Sequence, residues 1–167
     1  MHISCHVKGY VLHVIFPPSQ GDTWESRQSQ FLRDQRHPEK IYYNPDRCLD
    51  ILRASARYEG ENQFVGFNFP SYVLRKEDTT LYPYKEKYPI KYVIAYMKGD
   101  INTIEHEKRH ATFYINKKYR IKVKRSWNKM KKSDPKLFKK INTDLTKKGY
   151  DPKVFIDEYQ AYYPHLI

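Results

Sequence analysis

Apolar and polar positions change rhythm midway along the chain. Residues 3–7 and 10–16 are apolar or β-branched and flank Lys8-Gly9, which predicts two strands joined at a hairpin or bulge. Pro17-Pro18 ends that run, and residues 19–22 read as a loop. Thr23 caps an expected short helix to about Gln35. Asn44-Pro45-Asp46 has the form of a cap and first turn for another from about 45 to 56, with Leu49, Ile51, Leu52 and Ala56 apolar. Residues 63–74 alternate strand formers with breaks at Gly66 and Pro70. The charged stretch 76–89, with Pro83 and Pro89, is expected to be loop. Residues 91–97, Lys-Tyr-Val-Ile-Ala-Tyr-Met, are the clearest strand, and Gly99-Asp100 ends it.

After Asp100 the period becomes helical. Asp100 is a good N-cap, and Ile101, Ile104, Ala111 and Ile115 recur at near-helical spacing up to Asn116. A second, basic helical segment follows to about Met130. Ser133-Asp134-Pro135 starts a third helix that Gly149 stops; Asp151-Pro152 starts the last, which Pro164 stops. Mixed elements first and helices afterwards predict an α+β fold, a small N-terminal mixed or antiparallel sheet with short helices followed by a helical part. With no internal repeat or long linker, the 167 residues are expected to form a single domain, 1–98 β-rich and 99–167 helical.

Composition adjusts that picture in two ways. Sixteen tyrosines among the 40% hydrophobic residues mean that much apolar area carries a hydroxyl, so the core should be edged with polar contacts. The formal charge is +12 and concentrates between Lys117 and Lys148, a surface that attracts polyanions, nucleic acid among them. Tyr119, Trp127 and Phe138 interleave with these cations, where they either stack on bases or belong to the core. Cys5 and Cys48 lack CxxC spacing and read as small buried apolar residues. No apolar run approaches a membrane span, and no signal-peptide pattern is seen, so a soluble cytoplasmic protein is the expectation.

The candidate chemistry lies in His106-Glu107-Lys108-Arg109-His110. Histidines four apart stand one above the other on a helix, so both imidazoles reach one metal ion. Glu107 lies beside them, placed to orient and deprotonate a metal-bound water. A third ligand is expected from the last helix. There, positions 154, 155, 158, 161 and 162 share a face that is apolar except for Glu158, and a carboxylate on a packing face is costly unless it meets a cation. Glu158 is the first candidate, then Asp157, then His165.

The pentapeptide spells HExxH and resembles the signature of zincin metallopeptidases. Thr103, Ile104 and Ala111 also meet the extended zincin pattern, and Asp157-Glu158-Tyr159-Gln160-Ala161-Tyr162 looks like the downstream helix of gluzincins, which carry a glutamate third ligand. The likeness spans roughly residues 91–163. Lys108 and Arg109 depart from it, standing where the pattern has uncharged residues; they must point away from the core or find acidic partners such as Glu105. The resemblance implies zinc held by His106, His110 and Glu158, with Glu107 as the base for peptide hydrolysis. The developing oxyanion needs a donor besides zinc, for which Tyr159, Tyr162 and a residue of the basic segment are the candidates.

Other chemistries lack their residues. ExxH occurs once, so a di-iron bundle is missing its second half, and no PCxxC, GxSxG or glycine-rich phosphate loop is present. The rival expectation is a non-catalytic basic protein that binds nucleic acid or acts as a scaffold, with a degenerate zincin site.

Overall fold

A computed structural model describes residues 4–16, 66–74, 76 and 81–167. The two helices expected at 23–35 and 45–56, and Cys48, lie outside the described residues. Four strands form one sheet: β1 (Ser4–Lys8), β2 (Val11–Phe16), β3 (Gly66–Pro70) and β4 (Tyr92–Met97). Their order is β1-β2-β4-β3. β1 and β2 pair antiparallel across a turn at Gly9, whose φ of +59° suits glycine. β2 and β4 run parallel, and β3 is antiparallel to β4. The sheet is therefore mixed, and the fold is α+β.

Side-chain alternation gives the sheet two different faces. Leu12, Val14, Phe69, Val93 and Ala95 point to one face, where Leu74, Leu81 and Ile90 cover them. Each buried Val, Leu, Ile or Phe there contributes about 1.5–3 kcal/mol, and Ala95 less. Tyr92, Ile94 and Tyr96 point to the other face, with Val11 and Ile15 beside them. β4 is buried on both faces, which explains its unbroken apolar run. Cys5 is partly buried at the first face, its thiol hydrogen-bonded to Tyr84 and pushed by burial up to about 11.

Residues 76–89 are not wholly loop, because α1 spans Tyr82–Lys87. Pro83 falls in its first turn, where the missing N–H has no partner to lose. Four further helices follow: α2 (Ile101–Ile115), α3 (Lys117–Ser133), α4 (Pro135–Lys147) and α5 (Phe155–Tyr162), the last entered through a 3-10 turn at Pro152–Val154. The expected caps are in place. Asp100 and Asp134 accept from the backbone N–H of Thr103 and Leu137, and Asp151 accepts from Lys153 N–H.

α2 lies across β4 and β3 on one side and meets α5 on the other. Ala111, Ile104 and Ile115 pack on the sheet as expected, whereas Ile101 at the helix start is 71% exposed. α3, α4 and α5 enclose a separate core of Val123, Trp127, Met130, Ile141, Leu145 and Tyr159. Trp127 and Phe138 meet at 4.9 Å in this core, so they are packing residues. Among the described residues no helix is long and apolar enough to cross a membrane.

Candidate metal centre

The seam between α2 and α5 brings together three groups anticipated from sequence. One helical turn separates His106 from His110, and their Nε2 atoms are 3.1 Å apart. Glu158 comes from the first turn of α5 and faces them. Its Oε2 lies 3.8 Å from His106 Nε2 and 3.6 Å from His110 Nε2. A triangle of these sides has its equidistant point about 2.0 Å from every atom, the length of a zinc–nitrogen or zinc–oxygen bond. Glu158 Oε2 is also the one buried side-chain polar atom among the described residues with no hydrogen-bond partner. An orphaned carboxyl oxygen converging with two imidazoles is the arrangement a cation satisfies.

A second ring of contacts fixes these groups. Asp157 does not join the triangle; its Oδ1 accepts from His110 Nδ1 at 2.8 Å, which holds the ring so that Nε2 faces Glu158. Gln160 Nε2 donates to the same oxygen at 3.0 Å, and Tyr119 donates in turn to Gln160 Oε1 at 3.2 Å. Tyr150 hydrogen-bonds the Glu158 carboxyl group and, at 2.8 Å, the hydroxyl of Tyr162. The Tyr162 ring lies edge-on to His106 at 4.5 Å and walls the site.

Glu107, one position round the helix, aims at the sheet. Its Oε2 accepts from Asn68 Nδ2 at 2.7 Å, and Asn68 Oδ1 accepts from the Tyr92 hydroxyl. Gly66 on β3 makes room for this approach: a Cβ there would lie 2.7 Å from Glu107 Oε1 and 2.5 Å from the Thr103 methyl.

Burial dominates the electrostatics. It pushes Glu107 up to about 7 although His110 and the Asn68 hydrogen bond pull the other way. It pushes Glu158 up to about 8 against the same pull from His110. His106 is held well below the usual range by burial, with His110 and Arg109 adding to it. For His110 burial acts downward but is outweighed by Asp157 and Glu158, which lift it to about 10. Asp157 and Glu158 thus favour a protonated His110, and a metal ion bound at its Nε2 would displace that proton.

The two residues that break the zincin pattern find partners. Lys108 Nζ pairs with Glu105 Oε1 at 2.8 Å on the surface, as expected. Arg109 instead donates to the Ala161 carbonyl at 3.0 Å, tying α2 to the last turn of α5. Tyr159 faces away from the triad, its hydroxyl bonded to Ser126 Oγ and the Leu166 carbonyl, and His165 is exposed beside Tyr163. His6 and His13 stack at 4.6 Å on the β1–β2 hairpin and contribute no atom to the triad.

Sequence reasoning missed Asn68, Tyr92 and Tyr150. Asn68 carried a faint signal, a polar residue at an alternating position of a strand; Tyr150, next to a helix stop, carried none. Comparison with protein-family models, curated proteins and solved structures finds no match to this chain.

Proposed function

We propose that the chain is a zinc-dependent metallopeptidase of zincin type. The observation that carries this reading is the convergence of His106 Nε2, His110 Nε2 and the unpartnered Glu158 Oε2 on one point. A His2Glu set also serves iron(II) in oxygenases; zinc is proposed because the two histidines stand in the HExxH spacing.

Zinc held by His106, His110 and Glu158 would supply Lewis acidity and a water acidic enough to ionise near neutrality. The chain's own residues do the rest. Glu107 would take a proton from that water as its oxygen attacks the peptide carbonyl carbon, and return it to the nitrogen as the C–N bond breaks. Asn68 holds its carboxylate on the sheet side, so this role requires the carboxylate to turn from Asn68 toward the triad. Tyr162 is the nearer of the two anticipated tyrosines to the triad and is the candidate donor to the oxyanion. The reading includes a cytoplasmic setting, which suits the free thiol of Cys5.

Metal analysis of the purified protein, with His106→Ala and Glu107→Gln alongside, tests it. About one zinc per chain is expected, lost in the first variant and kept in the second, which loses hydrolysis of an unfolded protein substrate. Absence of zinc, iron in its place, or full activity of Glu107→Gln overturns it.

A further inference from the structure

We propose that the α3–α4 hairpin is a docking surface for the phosphate backbone of a nucleic-acid duplex. Residues 117–148 hold fourteen Lys and Arg against Asp134 and Asp144, a surplus equal to the entire +12 of the chain. The remaining residues hold 17 of each sign, so the rest of the protein is neutral. The net charge therefore belongs to this one segment.

Folding turns that charge outward. Val123, Trp127, Met130, Ile141 and Leu145 take the inner faces of α3 and α4, and twelve of the fourteen cationic residues are exposed. Among the described residues, Lys148 with Asp144 at 3.8 Å is the hairpin's one ion pair. On α4, Lys136, Lys139, Lys140 and Lys147 surround a shallow groove of about 450 Å³ with Thr143 and Asp144. Like charges held this close repel one another unless a polyanion lies across them.

Geometry selects the polyanion. α3 is about 25 Å long at 1.5 Å per residue, and a duplex presents roughly fifteen phosphates in that length. An extended peptide would need an acidic residue at every position to reach even half that density. A membrane partner would want an apolar wedge, and Ile121 is the hairpin's one exposed large hydrophobic residue. Single strands bind through stacking aromatics, but Trp127 is 7% exposed and Tyr119 is engaged with Gln160. Twelve of the fourteen cations are lysines, which suits point-charge contact with phosphates rather than base reading. Lys148 lies over the Tyr162 ring at 5.3 Å, so the surface reaches the wall of the metal triad. The inference does not depend on the peptidase reading.

The test is fluorescence anisotropy with a labelled duplex DNA of mixed sequence at three salt concentrations. Roughly six phosphate contacts give a log–log salt slope of about −5, and an affinity loss of about a thousandfold from 50 to 200 mM salt. Changing Lys136, Lys139, Lys140 and Lys147 to Glu is expected to weaken binding at least about thirtyfold and flatten the slope to about −2. Changing Lys8, Lys87, Lys91 and Lys98 to Glu alters net charge equally and should leave the affinity within about threefold. If the first variant fails to fold, Gln at the same four positions replaces it. Equal losses in both sets, salt-independent binding, no binding at 50 mM salt, or tighter binding to single strands, polyglutamate or anionic vesicles overturns the proposal.

Discussion

Asn68 Nδ2 donates to Glu107 Oε2 across 2.7 Å, and this bond ties an edge strand of the sheet to the helix that carries both candidate histidine ligands. Since the Tyr92 hydroxyl donates to Asn68 Oδ1, the amide is oriented with its NH2 group toward the carboxylate. Removing it leaves a buried acceptor unsatisfied at a cost of about 1–3 kcal/mol. Asn68→Ala is accordingly expected to lower the midpoint of urea unfolding. Under the peptidase reading it also lowers kcat more than it raises KM, with zinc content unchanged. Zinc loss in this variant would show that the bond organises the ligands instead.

Asp157 and Glu158 are neighbours with different tasks. Asp157 accepts from His110 Nδ1, whereas Glu158 presents its free oxygen to both imidazoles. On the zinc reading, Asp157→Asn is expected to lower zinc affinity about 10–100-fold while saturating zinc still gives one ion per chain. Glu158→Gln should fail to reach that stoichiometry at any accessible zinc concentration. Competitive titration with a chromophoric chelator measures both; identical behaviour of the two variants would refute the division of labour.

At Gly66 the obstacle is steric. A methyl group there meets the Thr103 methyl and the tethered Glu107 carboxylate well inside van der Waals contact. Gly66→Ala should destabilise the fold by about 1–3 kcal/mol through overpacking. Thermal unfolding in the presence of chelator isolates this effect from metal binding, and an unchanged melting temperature would contradict it.

The buried His13 offers a pH dependence remote from the triad. Burial, then the charges of His6, Lys108 and Lys8, lower its value from 6.5 to about 4. The unfolded chain therefore binds this proton more readily than the folded one. Its contribution to stability is complete above pH 6.5 and is lost as pH falls toward 4. His13→Gln should flatten the fall in stability over that window. Parallel curves for wild type and variant would count against it.

How much of this was readable in advance follows from the range of each signal. Caps act over three residues, so Asp100, Asp134 and Asp151 announced their helices correctly. The parallel pairing of β2 with β4 was invisible, since no local pattern names a strand's partner across 75 residues of chain. Pro83 misled because proline breaks a helix interior but is tolerated in the first turn. At the site, the four-residue spacing of His106 and His110 and the lone acid on α5's apolar face were enough to point at the triad. Tyr159 is one position from Glu158, hence about 100° round the helix, and its position in the other core could have been read from that angle. Asn68 and Tyr150 reach the site only through tertiary packing.

The triad's members come from α2 and α5, with the whole α3–α4 hairpin between them. During synthesis both imidazoles leave the ribosome well ahead of the carboxylate that completes the triangle. On the zinc reading, an ion caught early would be held by two ligands and exchange freely. Tight retention of metal would then report that the hairpin has closed and α5 has docked, making metal occupancy a late milestone in the maturation of the chain.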